Sequence, residues 1–204
     1  MILSGELSAG EQLPSHVELA RQLGVSRTAL RESFKVLESL GFIECIHGRG
    51  TFVCSTYVSL TDILEARRSL ENATASMAAA RASEMEVTQL KALVAAMESN
   101  VQKRRCDAFS EQDLEFHLMI GKMSGNRVLA RLLVNVSDLV LNQQSETQRL
   151  PGAMERAHRY HAQIAEAIAA HNPAAAARLI GEHLDDVTTA TLGGPVALAG
   201  GNRT

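Results

Sequence analysis

One stretch, Ser15-His16-Val17-Glu18-Leu19-Ala20-Arg21-Gln22-Leu23-Gly24-Val25-Ser26, constrains the fold of this chain more than any other. Two helix-opening residues stand eleven positions apart in it, and only Gly24 and Val25 separate the first helical run from the second opening. Ser15 is placed to cap a short helix over 15–23, with Glu18 at the capping-box position. Gly24 supplies the left-handed conformation that ends a helix, and Val25 is expected to follow as a buried plug. Ser26 then caps a second helix, Arg27 to Leu40, whose apolar face is Leu30, Phe34, Leu37 and Leu40. Two helices joined by so tight a turn make a helix-turn-helix unit. Gly41 stops the second helix, and Phe42 to Ile46 has the pattern of a strand. His47-Gly48-Arg49-Gly50 forms a tight turn, and Thr51 to Cys54 returns as the partner strand, so the hairpin is a wing.

Charge alone argues against a nucleic-acid partner. The chain carries a net charge of −3, and residues 1–55 hold five basic side chains against six acidic ones. Placement argues the other way. Ser26, Arg27 and Thr28 open the second helix, and Arg31 follows one turn later. Recognition helices meet the major groove through their first residues, where arginine grips guanine and hydroxyls reach phosphate. The helix N-terminus itself favours an anion. Solvated surface arginines are the simpler reading of Arg27 and Arg31 in isolation. The turn before them and the basic glycine hairpin after them favour DNA.

Together Leu13-Pro14-Ser15, Leu19-Ala20, Leu23 to Thr28, Leu30-Arg31-Glu32 and Gly48-Arg49-Gly50-Thr51 resemble the GntR superfamily of winged-helix repressors, over about residues 2–54. The resemblance implies that Ser26, Arg27, Thr28 and Arg31 meet base edges or phosphates of a pseudo-palindromic double-stranded operator. It implies that the wing turn, His47, Gly48 and Arg49, reaches the minor groove, and that the protein is a homodimer. There are two departures. An acidic-then-basic pair usual after Pro-Ser is His16-Val17 here, and the family's first helix is expected to be truncated to Ile2-Leu3-Ser4-Gly5.

Beyond a short connector (56–60, Tyr57-Val58-Ser59-Leu60 being free of a Pro/Gly-rich tether), the pattern is helical throughout, and close coupling of the two domains is expected. Thr61 starts a helix to about Ala82. Ser83-Glu84-Met85-Glu86 is a capping box opening the next. Asp107 opens a third helix, Asn126 caps a fourth, and Pro151-Gly152 precedes a fifth over about 153–171. Asn172-Pro173, a cap followed by proline at the first helical position, opens the sixth. Six helices without strands form an antiparallel bundle. Aromatic residues are only 3% of the chain, so aliphatic side chains must fill its core. The fold class is therefore mainly α: a winged helix-turn-helix with a small β-hairpin over 1–55, and a C-terminal antiparallel helical bundle over 61–192. The remaining tail, 193–204, is expected to be frayed.

Polar groups interrupt apolar faces of this bundle in three places. Asp113 and His117 are neighbours one turn apart, flanked by Leu114, Phe116 and Ile120. His161 lies on a stripe with Ile164, Ala165 and Ile168, and His183 on one with Leu179, Ile180 and Val187. A buried imidazole needs a partner, and three of them meeting a carboxylate would suit a divalent transition metal. Each histidine alone is more simply a satisfied core or surface residue.

Glu65-Ala66-Arg67-Arg68-Ser69-Leu70-Glu71, Asp113-Leu114-Glu115-Phe116-His117 and the His161 and His183 helices are similar to the FCD effector domain of the FadR-type GntR branch, over about residues 60–190. That resemblance implies a divalent metal (zinc, nickel or manganese) held by Asp113, His117, His161 and His183. His158, one turn before His161, is the rival ligand. Arg67 is implied to pair with the carboxylate of a small organic acid, through a charge-assisted fork. The function implied is a transcription regulator, not an enzyme, whose operator affinity follows that acid.

Two other readings share these residues: a metal-stapled or ligand-free dimerisation bundle, and a metal-dependent hydrolase. No apolar run reaches the ~18 residues of a membrane span, no secretory leader is evident, and Cys45, Cys54 and Cys106 lack CxxC spacing. A cytoplasmic protein without a membrane partner is expected.

Overall fold

The computed structural model describes residues 6–54 and 59–193, apart from the side chains at 141–144. The predicted connector falls largely, and the tail almost wholly, outside the described residues, as does Ile2 to Gly5. Two compact units divide the chain, within Met1–Asp62 and Ile63–Thr204.

In the first unit, α1 (His16–Leu23) begins where the Ser15 side chain accepts a hydrogen bond from the Glu18 N–H, and ends at Gly24, φ 66°. Only half of the predicted capping box forms. The Glu18 carboxylate turns outward to Arg21 and Gln22, a competition open to an exposed side chain. Helix α2 (Arg27–Ser39) is capped by Ser26 and buries Leu30 and Phe34; Leu37 and Leu40 are only half-buried. Strands β1 (Ile43–Ile46) and β2 (Gly50–Val53) pair antiparallel with Ile43 opposite Val53.

Two features of this unit depart from the sequence reading. Val25 is not a buried plug but 44% exposed, because the described residues place no apolar side chain over the turn; Val17 and Leu23 are exposed as well. Residues before α1 also join the sheet. Gly10 and Leu13 donate to the carbonyls of Val53 and Thr51, and Gln12 bridges Phe52.

Six helices make up the second unit: α3 (Leu60–Arg81), α4 (Glu84–Gln102), α5 (Cys106–Met123), α6 (Arg127–Gln148), α7 (Ala153–Ala169) and α8 (Pro173–Thr191). Local signals set most of their starts. Ser83 and Glu86 close a full capping box, Asn126 accepts from the Val128 and Leu129 N–H groups, and Asn172 accepts from the Ala175 N–H ahead of Pro173. Helix α3 starts one residue ahead of Thr61, with Ser59 and Asp62 in reciprocal hydrogen bonds across its first turn. At α5 the capping position is Arg105, with no side-chain cap. Asp107 sits one residue inside the first turn and pairs instead with Arg149.

Short connections reverse the chain between successive helices, and the core is aliphatic, as the scarcity of aromatics requires. Ala75, Ala78 and Ala79 of α3 are fully buried with Met97, Ile164, Ile168 and Ile180, joined by Phe109 and Phe116. Small residues allow close approach. A Cβ built on Gly181 of α8 would lie 3.1 Å from the Asn72 side chain of α3. This packing brings α3, α5, α7 and α8 together around one polar point. No described helix is long and apolar enough to cross a membrane.

Candidate metal centre and DNA-reading surface

Helix α5 presents Asp113 and His117 inward at i,i+4 spacing, while α7 contributes His161 and α8 His183. None is more than 1% exposed. One ligand atom from each lies within 4.8 Å of all the others. The His183 Nε2 stands 3.3 Å from His117 Nε2 and 3.4 Å from His161 Nε2, and His161 Nε2 stands 3.3 Å from an Asp113 oxygen. Two nitrogens bound to one divalent metal at about 2.0–2.1 Å would be about 2.9–3.4 Å apart. Two of the nitrogen pairs therefore already stand at the spacing of ligands on one cation, with Asp113 Oδ2 3.8 Å from His117 Nε2.

Electrostatics favour the same state. Burial, then the neighbouring His183 and His117 charges, hold the His161 pKa well below 6.5; burial and His117 do the same for His183. Both rings are thus neutral and able to donate lone pairs near pH 7. The Asp113 carboxyl is raised by burial, against the attraction of His117 and Arg67. A cation at the convergence point would favour its anionic form.

The sequence reading assigned no role to Glu71. Its carboxylate accepts from Arg67 Nε at 2.6 Å and bonds His117 Nδ1. Burial raises its pKa, but the charges and hydrogen bonds of His117 and Arg67 outweigh burial and bring it down to about 2. An anionic Glu71 fixes the proton of His117 on Nδ1 and leaves Nε2 as the ligand face. An acid one turn after a buried arginine was the available signal. Arg67 itself is 1% exposed, close enough for its charge to act on Asp113, His161 and His183. His158 lies apart from the cluster, its Nε2 against the Val94 carbonyl at 3.1 Å. Gln148 of α6, also unforeseen, lies 3.4 Å from Asp113.

In the other unit, Ser26, Arg27, Thr28 and Arg31 are all exposed at the start of α2. Ser26 accepts from the Ala29 N–H, so its oxygen is engaged as the cap while its proton stays available. On the wing, His47, Gly48 and Arg49 are exposed, with Gly48 at φ 74°. The Arg49 guanidinium lies 5.7 Å from the Phe52 ring centre, and its carbonyl accepts from Gln12. That cation–π contact braces the wing arginine without withdrawing it from solvent.

Comparison with known proteins agrees with this division. Residues 1–53 match the profile described as bacterial regulatory proteins of the gntR family, and residues 62–186 match the FCD domain. The HTH-type transcriptional regulator LutR of Bacillus subtilis is 29% identical over 92% of this chain and 94% of its own length. The Glc operon transcriptional activator of Escherichia coli K12 is 30% identical over 92% of this chain and 83% of its own. Among solved structures, a Streptococcus agalactiae GntR protein aligns at TM-score 0.54 with 28% identity, covering 91% of this chain and 93% of that one. Escherichia coli McbR/YncC shares the fold at TM-score 0.69 and 17% identity, over 94% and 91%. These relatives are regulators, which sets the hydrolase reading aside. The chain belongs to the GntR family of bacterial transcription regulators, in the FadR-type branch that joins a GntR DNA-binding domain to an FCD effector domain.

Proposed function

We propose that this regulator adjusts its hold on an operator through a small organic acid bound beside a divalent transition metal in the FCD domain. Asp113, His117, His161 and His183 would hold the ion, with zinc, nickel or manganese suited to the donors. The metal would supply a Lewis-acidic point for the acid's carboxylate. Arg67 would pair with the same group, Glu71 orienting both Arg67 and His117. The carrying observation is the convergence of three imidazole Nε2 atoms and one carboxylate in a buried core.

On the DNA side, Ser26, Arg27, Thr28 and Arg31 would enter the major groove, and His47, Gly48 and Arg49 would reach the minor groove. A homodimer would present two α2 helices to a pseudo-palindromic site. An effector shifts operator affinity only by binding two arrangements of the protein unequally.

A second reading has its own support. All four ligands are 1% exposed or less, which also suits a metal that only staples α5, α7 and α8. Metal analysis of tag-free protein, with operator affinity measured with and without a panel of carboxylic acids, separates the two. One metal per chain with an acid-dependent operator affinity supports sensing. Metal without any acid response supports the staple, and no metal in protein grown with all three ions refutes both. Sedimentation at micromolar concentration tests the dimer; a monomer refutes it.

A further inference from the structure

Arg49 stands between two glycines in the left-handed region, Gly48 at φ 74° and Gly50 at φ 115°. Glycine imposes little direction of its own on a turn, so other contacts must set the line along which the arginine leaves the hairpin. The turn itself supplies one hydrogen bond, from the Arg49 N–H to the Ile46 carbonyl at 3.0 Å. Two further contacts reach Arg49 from beyond the turn. The Phe52 ring centre lies 5.7 Å from the guanidinium, and the Gln12 side chain comes from 37 residues earlier in the chain.

The residues ahead of α1 put Gln12 there. The Leu13 N–H donates to the Thr51 carbonyl at 2.8 Å, and the Val53 N–H donates to the Glu11 carbonyl at 2.9 Å. These bonds pair Gln12 antiparallel with Phe52. Directly opposed residues of an antiparallel pair project on one face, so Gln12 stands beside the ring that carries the Arg49 guanidinium. Gln12 Nε2 then donates to the Arg49 carbonyl at 2.7 Å. A carbonyl only accepts, which settles the orientation of the amide. The accepting oxygen belongs to the peptide between Arg49 and Gly50, so this bond holds the plane of that peptide and with it the main chain of the arginine. Gly50 leaves the room: a Cβ there would lie 2.6 Å from Gln12 Nε2. Both Gln12 and Arg49 are exposed, so water competes for the bond and its net contribution to stability is small. Its effect is on direction.

Resting on the DNA-side reading above, we infer that Gln12 is a positioning residue of the wing. It acts on the operator through Arg49, holding the Arg49–Gly50 peptide so that the guanidinium points into the minor groove. An arginine draws its attraction there from a narrow groove, so a wing free to pivot loses affinity even with the arginine intact.

The test uses the full chain and a double-stranded DNA fragment that this chain selects from a random library. Gel-shift titrations of the unaltered protein, Gln12→Met, Arg49→Ala and the double variant form a cycle. Gln12→Met keeps the length and loses the donor, and should weaken binding about threefold to tenfold, the range an ordinary hydrogen bond spans. Arg49→Ala should weaken it about tenfold or more, and the double variant no further than Arg49→Ala alone. Footprints on the same fragment separate direction from stability. Hydroxyl-radical cleavage reads the minor groove and guanine N7 methylation the major groove; Q12M should lose protection at the wing contact and keep it where α2 binds. Should Q12M melt at a lower temperature than the unaltered protein, Gln12→Asn, which keeps the amide but withdraws it by one methylene, should give the same footprint at an unchanged melting temperature. Unaltered affinity in both Gln12 variants overturns the inference, as does retained wing protection. A double variant weaker than Arg49→Ala by the full Q12M factor also overturns it, the result expected if Gln12 meets DNA itself. Should Arg49→Ala lose neither affinity nor wing protection, the wing reading falls and this inference with it.

Discussion

Replacing Glu71 by glutamine removes one charge and almost no volume, at the point where Arg67 and His117 meet. Removing one partner of a buried, hydrogen-bonded ion pair costs about 3–5 kcal/mol, because the other charge stays behind in the core. The lowering of the Glu71 pKa from 4.5 to about 2 gives an independent figure of similar size. At 1.36 kcal/mol per unit it corresponds to ~3 kcal/mol. For a chain of this length, about 2–4 °C per kcal/mol translates into a melting temperature lower by roughly 6–20 °C at pH 7. The sign with pH follows from the lowered folded-state value. The stabilisation is complete above about pH 4.5 and is lost as pH falls toward 2, so wild type and Glu71→Gln converge on acidification. Melting with a chelator present keeps metal ligation out of this comparison. Zinc competition then reads the second effect, a tenfold to hundredfold weaker affinity from loss of the group that orients His117. The double replacement Arg67→Met with Glu71→Leu should recover most of the stability, since neither charge remains, and none of the zinc affinity. A Glu71→Gln protein melting within 2 °C of wild type and binding zinc equally well refutes the coupling of these three residues.

Arg27→Ala and Arg31→Ala should each weaken operator binding by about 1–3 kcal/mol where the side chain meets a base, with helical content unchanged; gel-shift titration checks this, and unaltered affinity in both removes α2 as the reading face. Burial lowers the His161 and His183 pKa values in the fold, whereas the unfolded rings protonate near pH 6.5. Chelated protein should therefore hold a constant stability above that pH and lose it as pH falls below, and urea titrations showing no change between pH 7 and 5 contradict the neutral, buried state. Gly181→Ala would bring a Cβ to 3.1 Å from the Asn72 side-chain oxygen, which must give by a few tenths of an ångström; overpacking of this kind costs about 1–3 kcal/mol in a thermal melt, and an unchanged melting temperature refutes tight packing at this α3–α8 contact.

Helix starts were legible because a cap is a local event. Ser83 with Glu86, Asn126 with the Val128 and Leu129 amides, and Asn172 before Pro173 each complete their bonds within three residues. Composition likewise forced an aliphatic core, and the residues around Gly24 were enough for the helix-turn-helix. Where local signals failed, a distant or competing partner had won. Glu18 preferred Arg21 to its capping role, Asp107 preferred Arg149, and Val25 found no apolar cover among the described residues. The four candidate ligands could be named from their apolar stripes, while their convergence was implied by the family resemblance alone and by nothing in the residues' own spacing. His117 and His183 lie 66 residues apart, and only the packing of α5 on its neighbours brings their nitrogens within 3.3 Å. Gln148 was silent in the sequence for the same reason, and Glu71 carried only the weak signal of an acid one turn after Arg67. A glutamate or glutamine on a helix is ordinary until tertiary contacts remove it from water, and a buried charge or amide must then find a specific partner.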